Sequence, residues 1–292
     1  MLTAKDHYRR STLANKTTRT SGVILVIISA IVFSSAGIFT KGVDTDAWGV
    51  IFWRGASAAA FTLGYLLLRG ALAREIAAFR LPTLVVTLMM AAGTAAFIPA
   101  FKLSSVVNVA LIYAAAPFIA EAMAWAFIGE RPTRTVIIAS LAAFSGVLII
   151  VSGSVGEIAL MGDALALFMT VMMAGSMVIF RRYPETTAAL PNALSSIVLL
   201  PAALIFGAPL AAPTVELPIL VAFGLVFAVA SVTLSEGARR LPSAETALLS
   251  TLEMPLAPIL AYLILAEAPT VQVLAGGLII LISVIWSQRR GG

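Results

Sequence analysis

The chain has 292 residues, of which 60% are hydrophobic and 11% charged, with a formal charge of +5 and a mean hydropathy of +1.03. A soluble domain carries about a quarter charged residues, so this composition excludes a surface facing water on all sides and calls for lipid as solvent. The Lys and Arg excess sits in connections and tails, where it orients a chain in a membrane rather than binding nucleic acid.

Residues 1–21 are polar and basic and read as a cytoplasmic tail. They do not read as a cleavable signal, because the apolar run behind them is too long for one. Apolar segments follow near 22–41, 47–68, 83–101, 104–127, 135–152, 160–180, 187–206, 216–238, 243–266 and 270–287. Stretches such as 22–40, 81–101, 135–156 and 268–288 hold no Asp, Glu, Lys or Arg. Lipid offers the backbone no hydrogen bonds, so each segment is expected as a spanning helix. The short alternating segments of a β-barrel are missing. With the N-terminus in the cytoplasm, 16 of the 19 Lys and Arg fall in inside segments, while Lys41 and Lys102 fall outside and Arg54 lies within the second span. That bias predicts ten spans in the cell (inner or plasma) membrane with both termini cytoplasmic.

The chain also repeats itself. Leu103 to Leu241 and Pro117 to Pro255 share an offset of 138, and the pairs Pro132-Thr133 and Pro269-Thr270 are 137 apart. The expected division is therefore a first five-helix repeat over 22–155 and a second over 156–292. An odd number of spans per repeat turns the second upside down, an arrangement common in secondary transporters. The fold class expected is all-α integral membrane, with ten transmembrane helices in two inverted five-helix repeats around a central cavity.

The order of Asn108, Ile112, Tyr113, Pro117 and Gly129-Glu130-Arg131-Pro132, echoed by Leu252-Glu253-Met254-Pro255 and Glu267-Ala268-Pro269-Thr270, resembles the EamA family of the drug/metabolite transporter superfamily. Arg54 in the second span also fits the family. Phe33-Ser34 departs from the family's frequent Trp-Gly, and Ala266 from its usual Gly. The resemblance implies a basket of ten helices around a cavity and movement of small metabolites, often outward. A branch of YddG-type amino-acid exporters is similar in length and topology.

Other chemistries find no support. The one histidine, His7, lies in the tail and there is no cysteine, so neither a nucleophile with its base nor a zinc site is expected. Lys16, the one Lys followed by Ser or Thr, is preceded by Asn15, which rules out the Gly-Lys-Ser/Thr of an ATP-binding loop. No catalytic residue, metal or cofactor is expected. The expected partners are a small-molecule substrate and the bilayer; a monomer is compatible with the sequence, which does not set the oligomeric state. Efflux of cationic drugs is the rival within transport. A non-transporting scaffold or receptor is the rival from another class.

A charge in the hydrocarbon core is expensive and so marks a candidate site. Glu253 lies nearest a midplane, followed by Pro255 and Pro258, which deprive the helix of hydrogen bonds. It either meets a substrate ammonium or a proton, or packs at the kink. Arg54 either attracts a carboxylate, snorkels outward, or pairs with Asp44, Asp46 or Asp163. Glu121 shares a helix face with Tyr113 and Pro117 and is expected to snorkel or pair. Glu236, four residues before Arg240, has ion-pair spacing, and Glu245 is read as a boundary residue. Phe33, Phe97 and Tyr113 fall mid-span in helices that the resemblance places around the cavity, and with Ser34 and Met173 they either complete its expected lining or serve as ordinary helix packing. The other methionines of that segment, Met169, Met172 and Met177, suit either an adaptable surface or plain packing. Ala139, Ala142, Ala143 and Gly146 form a small-residue face for close helix contact.

Overall fold

A computed structural model describes residues 4–290 apart from 36–38, 40–42, 105–108, 110–111, 132, 153–159 and 266–269. The side chains of 4–17 and of Ile98, Phe101, Lys102, Val151, Pro258, Ala261, Ile264, Leu265 and Arg290 also lie outside the description. Lys41, Asn108, Pro132 and the run Glu267-Ala268-Pro269 therefore fall outside the described residues.

The described residues form helices and no strand. They are α1 (Ala4–Ser34), α2 (Ala47–Leu68), α3 (Leu72–Ala77), α4 (Leu81–Leu103), α5 (Ala116–Ile128) and α6 (Arg134–Val151). After them come α7 (Leu160–Arg182), α8 (Ala189–Phe206), a 3-10 turn at Pro209–Ala211, α9 (Leu217–Ala238), α10 (Ser243–Ser250), α11 (Glu253–Leu265) and α12 (Val271–Arg290). Five of them, Ala47–Leu68, Leu160–Arg182, Ala189–Phe206, Leu217–Ala238 and Val271–Arg289, are long and apolar enough to cross a membrane, and shorter apolar helices accompany them. Large apolar side chains face outward, with Leu68 at 92% exposure and Phe127 and Ile205 at 74%. In water such a surface would aggregate; facing lipid, it is solvated.

Local chemistry sets the helix ends. Asp46 opens α2 by accepting from Trp48 N and Gly49 N, each at 3.2 Å, and Thr133 opens α6 by accepting from Val136 N at 3.3 Å. These caps satisfy backbone donors that have no partner within their helix. Gly129 ends α5 at φ 68°, a left-handed conformation that favours glycine.

Two of the expected spans are not continuous. In the segment expected over 104–127, Ile112 and Tyr113 are helical, a turn follows at Ala114–Ala115, and α5 begins at Ala116. In the segment expected over 243–266, α10 stops at Ser250, a turn follows at Thr251–Leu252, and α11 begins at Glu253. The two turns lie 137 residues apart. Each is closed by tight three-residue bonds, Ala115 N to Ile112 O at 3.1 Å and Thr251 N to Leu248 O at 3.2 Å. Pro117 and Pro255 stand in the first turns of α5 and α11. Having no N–H, they cannot donate to the carbonyls four residues back; the Thr251 carbonyl accepts instead from Met254 N at 3.1 Å, and the Tyr113 carbonyl has no such substitute among the described residues. Pro258 lies further along α11.

The contacts between helices are largely unchanged if the first five expected spans are exchanged for the second five. α6 packs on α12, α2 on α8 and α5 on α10. α4 meets α7 as α1 meets α9, α2 meets α9 as α4 meets α8, and α5 meets α7 as α1 meets α10 and α11. Small residues permit the tightest crossings. A Cβ added to Gly146 of α6 would lie 2.7 Å from the Gly276 carbonyl oxygen of α12. Ala139 and Ala143 of the same helix are buried against Ile280 and Val284, as expected of a small-residue face.

Candidate substrate site

The paired breaks bring together residues far apart in sequence. Tyr113, just before the first break, faces Glu253, the first residue of α11, and its hydroxyl donates to the Glu253 carboxylate. Both side chains are half-buried. Tyr113 packs with Ile112 and Met173 on a cluster of Ala96, Ala100, Val109, Ala166 and Met169. Met169 is 2% exposed and Met177 3%, so those two serve as packing, whereas Met173 stays partly open.

A second feature gathers on α2, α4, α8 and α9. Gly224 of α9 allows its helix to approach α2 so closely that a Cβ there would lie 2.7 Å from the Arg54 carbonyl oxygen. The Arg54 side chain is 5% exposed. Its guanidinium carbon lies 4.4 Å from the centroid of the Phe227 ring and 5.4 Å from that of Phe223. Phe33 meets Phe227 edge-on at 5.9 Å, and Phe39 stacks on Phe223 at 5.5 Å. Arg54 also lines a small pocket with Ile51, Gly55, Thr94, Ser195, Ser196 and Phe227 among its walls.

The expectations for Arg54 and Glu121 need correcting. Arg54 does not snorkel, because Phe223 and Phe227 cover it, and it forms no ion pair among the described residues. Asp46 instead caps α2. Ser104 Oγ donates to Asp163, and the backbone N–H of Asp44 donates to Glu216. Glu121 does not snorkel either. It is 9% exposed, and its Oε1 has no hydrogen-bond partner among the described residues. The cause is the packing of α5 between α7 and α10. Ser34 is 4% exposed and donates its hydroxyl to the Ile31 carbonyl at 2.6 Å. Phe97 is 39% exposed.

The boundary charges are paired. Glu236 binds Arg240, at the spacing expected, and also Arg239 at 2.8 Å. Arg19 reaches Glu245 at 2.6 Å, and Arg181 reaches Glu130 at 3.3 Å. Sequence reading missed Thr94, Asn192, Ser195, Ser196, Phe223 and Phe227. One signal was present, since the offset of 138 that joins Pro117 to Pro255 also joins Arg54 to Asn192. Asn192 is a second buried polar residue, whose Nδ2 donates to Ser235 Oγ at 2.9 Å.

An all-helical chain with an apolar exterior and buried charges beside broken helices is a multi-pass membrane protein. Residues 20–152 and 160–288 each match the EamA-like transporter family, and the chain belongs to that family. It is a family of transporters rather than enzymes. One solved crystal structure superposes with a TM-score of 0.82 at 15% identity, covering 93% of this chain and 98% of the other. That likeness concerns the fold. No curated protein matches the chain in sequence.

Proposed function

We propose that this chain is a secondary transporter that exports small metabolites by alternating access, with neutral and aromatic amino acids its leading substrates. In this reading ten helices cross the cell (inner or plasma) membrane as two inverted five-helix repeats, 22–155 and 156–292, with both termini cytoplasmic. The observation that carries the proposal is the meeting of Tyr113 and Glu253 at the paired helix breaks. Broken helices leave backbone carbonyls free at mid-span, which is where secondary transporters bind substrate. Glu253 and the Tyr113 carbonyl receive an ammonium group. Phe33, Ser34, Phe97, Tyr113 and Met173 line the cavity, whose apolar members accept the side chain. The near-exchangeable helix contacts favour rocking of one half against the other.

The test is uptake and counterflow in proteoliposomes containing this chain alone. Amino acids, sugars and cationic drugs are offered with and without a proton gradient. Amino-acid flux above that of empty liposomes is the expected result. Flux confined to cationic drugs would move the assignment to multidrug efflux. Silence toward every compound would favour a scaffold or receptor.

A further inference from the structure

The Arg54 pocket has an unbalanced charge. A cation taken out of water is costly unless it is paired and hydrogen-bonded. Arg54 is 95% buried by its 5% exposure, yet its guanidinium makes no hydrogen bond or ion pair among the described residues, and its Nε is enclosed without a partner. The Phe227 and Phe223 rings account for only part of the compensation, because a ring face offers a cation less than a carboxylate does. The rings supply no acceptor, so the guanidinium N–H groups stay without a hydrogen-bond partner among the described residues.

The pocket's other polar members sharpen the picture. The hydroxyls of Ser195 and Ser196 donate to the Asn192 carbonyl at 2.9 and 3.2 Å, so they are committed to their own helix. Thr94 lines the pocket, and its hydroxyl makes no hydrogen bond among the described residues. Arg54 thus brings an unpaired cation to a pocket that Thr94 also lines, with no countercharge among the described residues. A carboxylate has two acceptor oxygens and a single negative charge, and it matches a guanidinium fork in shape.

We infer that the pocket bounded by Arg54, Thr94 and Phe227 binds a carboxylate group, and that this requirement selects the transported compounds. The inference rests on the transport reading above and narrows it. A substrate carries a carboxylate to Arg54, and compounds that are only cationic meet a like charge.

The test uses the full chain purified in detergent, with thermal unfolding as the binding readout, followed by flux in proteoliposomes. The probes are phenylalanine, hydrocinnamate, phenylalanine methyl ester and inorganic phosphate. Phenylalanine and hydrocinnamate are expected to stabilise the wild type, and the ester and phosphate not to. R54Q is expected to weaken carboxylate binding by roughly tenfold or more, and R54K to retain part of it. Equal stabilisation by acid and ester, equal stabilisation by phosphate, no stabilisation by either carboxylate, or unchanged binding in R54Q would each overturn the assignment. If R54Q does not fold, the comparison of acid with ester on the wild type decides. Carboxylate binding without flux would leave the binding assignment standing and remove both the transport proposal and the selection drawn from it. Equal flux of acid and ester would leave the transport proposal standing and remove the selection.

Discussion

The Tyr113 hydroxyl donates to the Glu253 carboxylate, and so joins the break in one half of the chain to the break in the other. A hydrogen bond to a charged or acidic group contributes more than a neutral one. Tyr113→Phe should therefore weaken substrate affinity by roughly tenfold, about 1.4 kcal/mol. Glu253→Gln should alter both affinity and the dependence of transport on pH. Initial-rate transport over several pH values checks both variants. Wild-type behaviour in the two of them would remove the pair from the substrate site.

Pro117 and Pro255 stand immediately after the breaks. With alanine at both positions, Tyr113 and Thr251 regain helical donors and the two helices can run through. The double variant P117A/P255A should insert normally and transport about an order of magnitude more slowly. Membrane yield and counterflow rate, measured on the same preparation, separate the two effects. Full transport would show that the breaks do not serve the motion.

The orientation proposal has its own check. Reporter fusions at the C-terminus and in the loop near Glu157, which lies outside the described residues, should report opposite sides of the membrane. The expectation comes from the Lys and Arg bias. The same side for both would end the inverted-repeat argument.

Glu216 ties the segment before α2 to the start of α9. It accepts from Asp44 N at 3.0 Å, from Thr45 N at 3.1 Å and from the Thr45 hydroxyl at 2.5 Å. The bond from the Thr45 hydroxyl, followed by that from the Asp44 backbone, holds this carboxyl below the usual carboxylate range. A depressed pKa stabilises the fold above the unfolded carboxyl's pKa, and that contribution is lost as pH falls through the lower folded value. Thermal unfolding in detergent should therefore show the wild type losing its advantage over Glu216→Gln as the buffer is acidified below the normal carboxylate range. An unchanged difference across that acidification would argue against the tie.

Gly146 and Gly276 mark the crossing of α6 and α12. Gly146→Val must displace backbone as well as side chain and should destabilise the protein by about 1–3 kcal/mol. A thermal scan of the purified variant reads this directly, and unaltered unfolding would mean that the helices part easily there.

Hydropathy and charge bias made the helices legible, because lipid constrains each segment on its own terms. The breaks were only half legible. Pro117 and Pro255 announced a disturbance, but the turns fall at Ala114–Ala115 and Thr251–Leu252, ahead of both prolines. Hydropathy is blind to that distinction, since an average over a whole span does not register where within it a two-residue turn falls. The environment of Arg54 was not legible. Its covering rings, Phe223 and Phe227, come from a helix in the other half of the sequence, and no local pattern predicts such a meeting. The same holds for Glu121, whose enclosure follows from the packing of α5 between α7 and α10.

The broadest helix interfaces, α6 on α12, α4 on α7 and α2 on α8, all join a helix from before residue 153 to one from after residue 159. During synthesis the earlier helices enter the bilayer while their main neighbours have yet to be made. Their small-residue and charged faces must wait in lipid or be held by a chaperone of the membrane. An N-terminal half produced alone would consequently be a target for proteolysis. Two halves produced as separate polypeptides should rescue each other, so the connection between them is dispensable for assembly in a way that the helix faces are not.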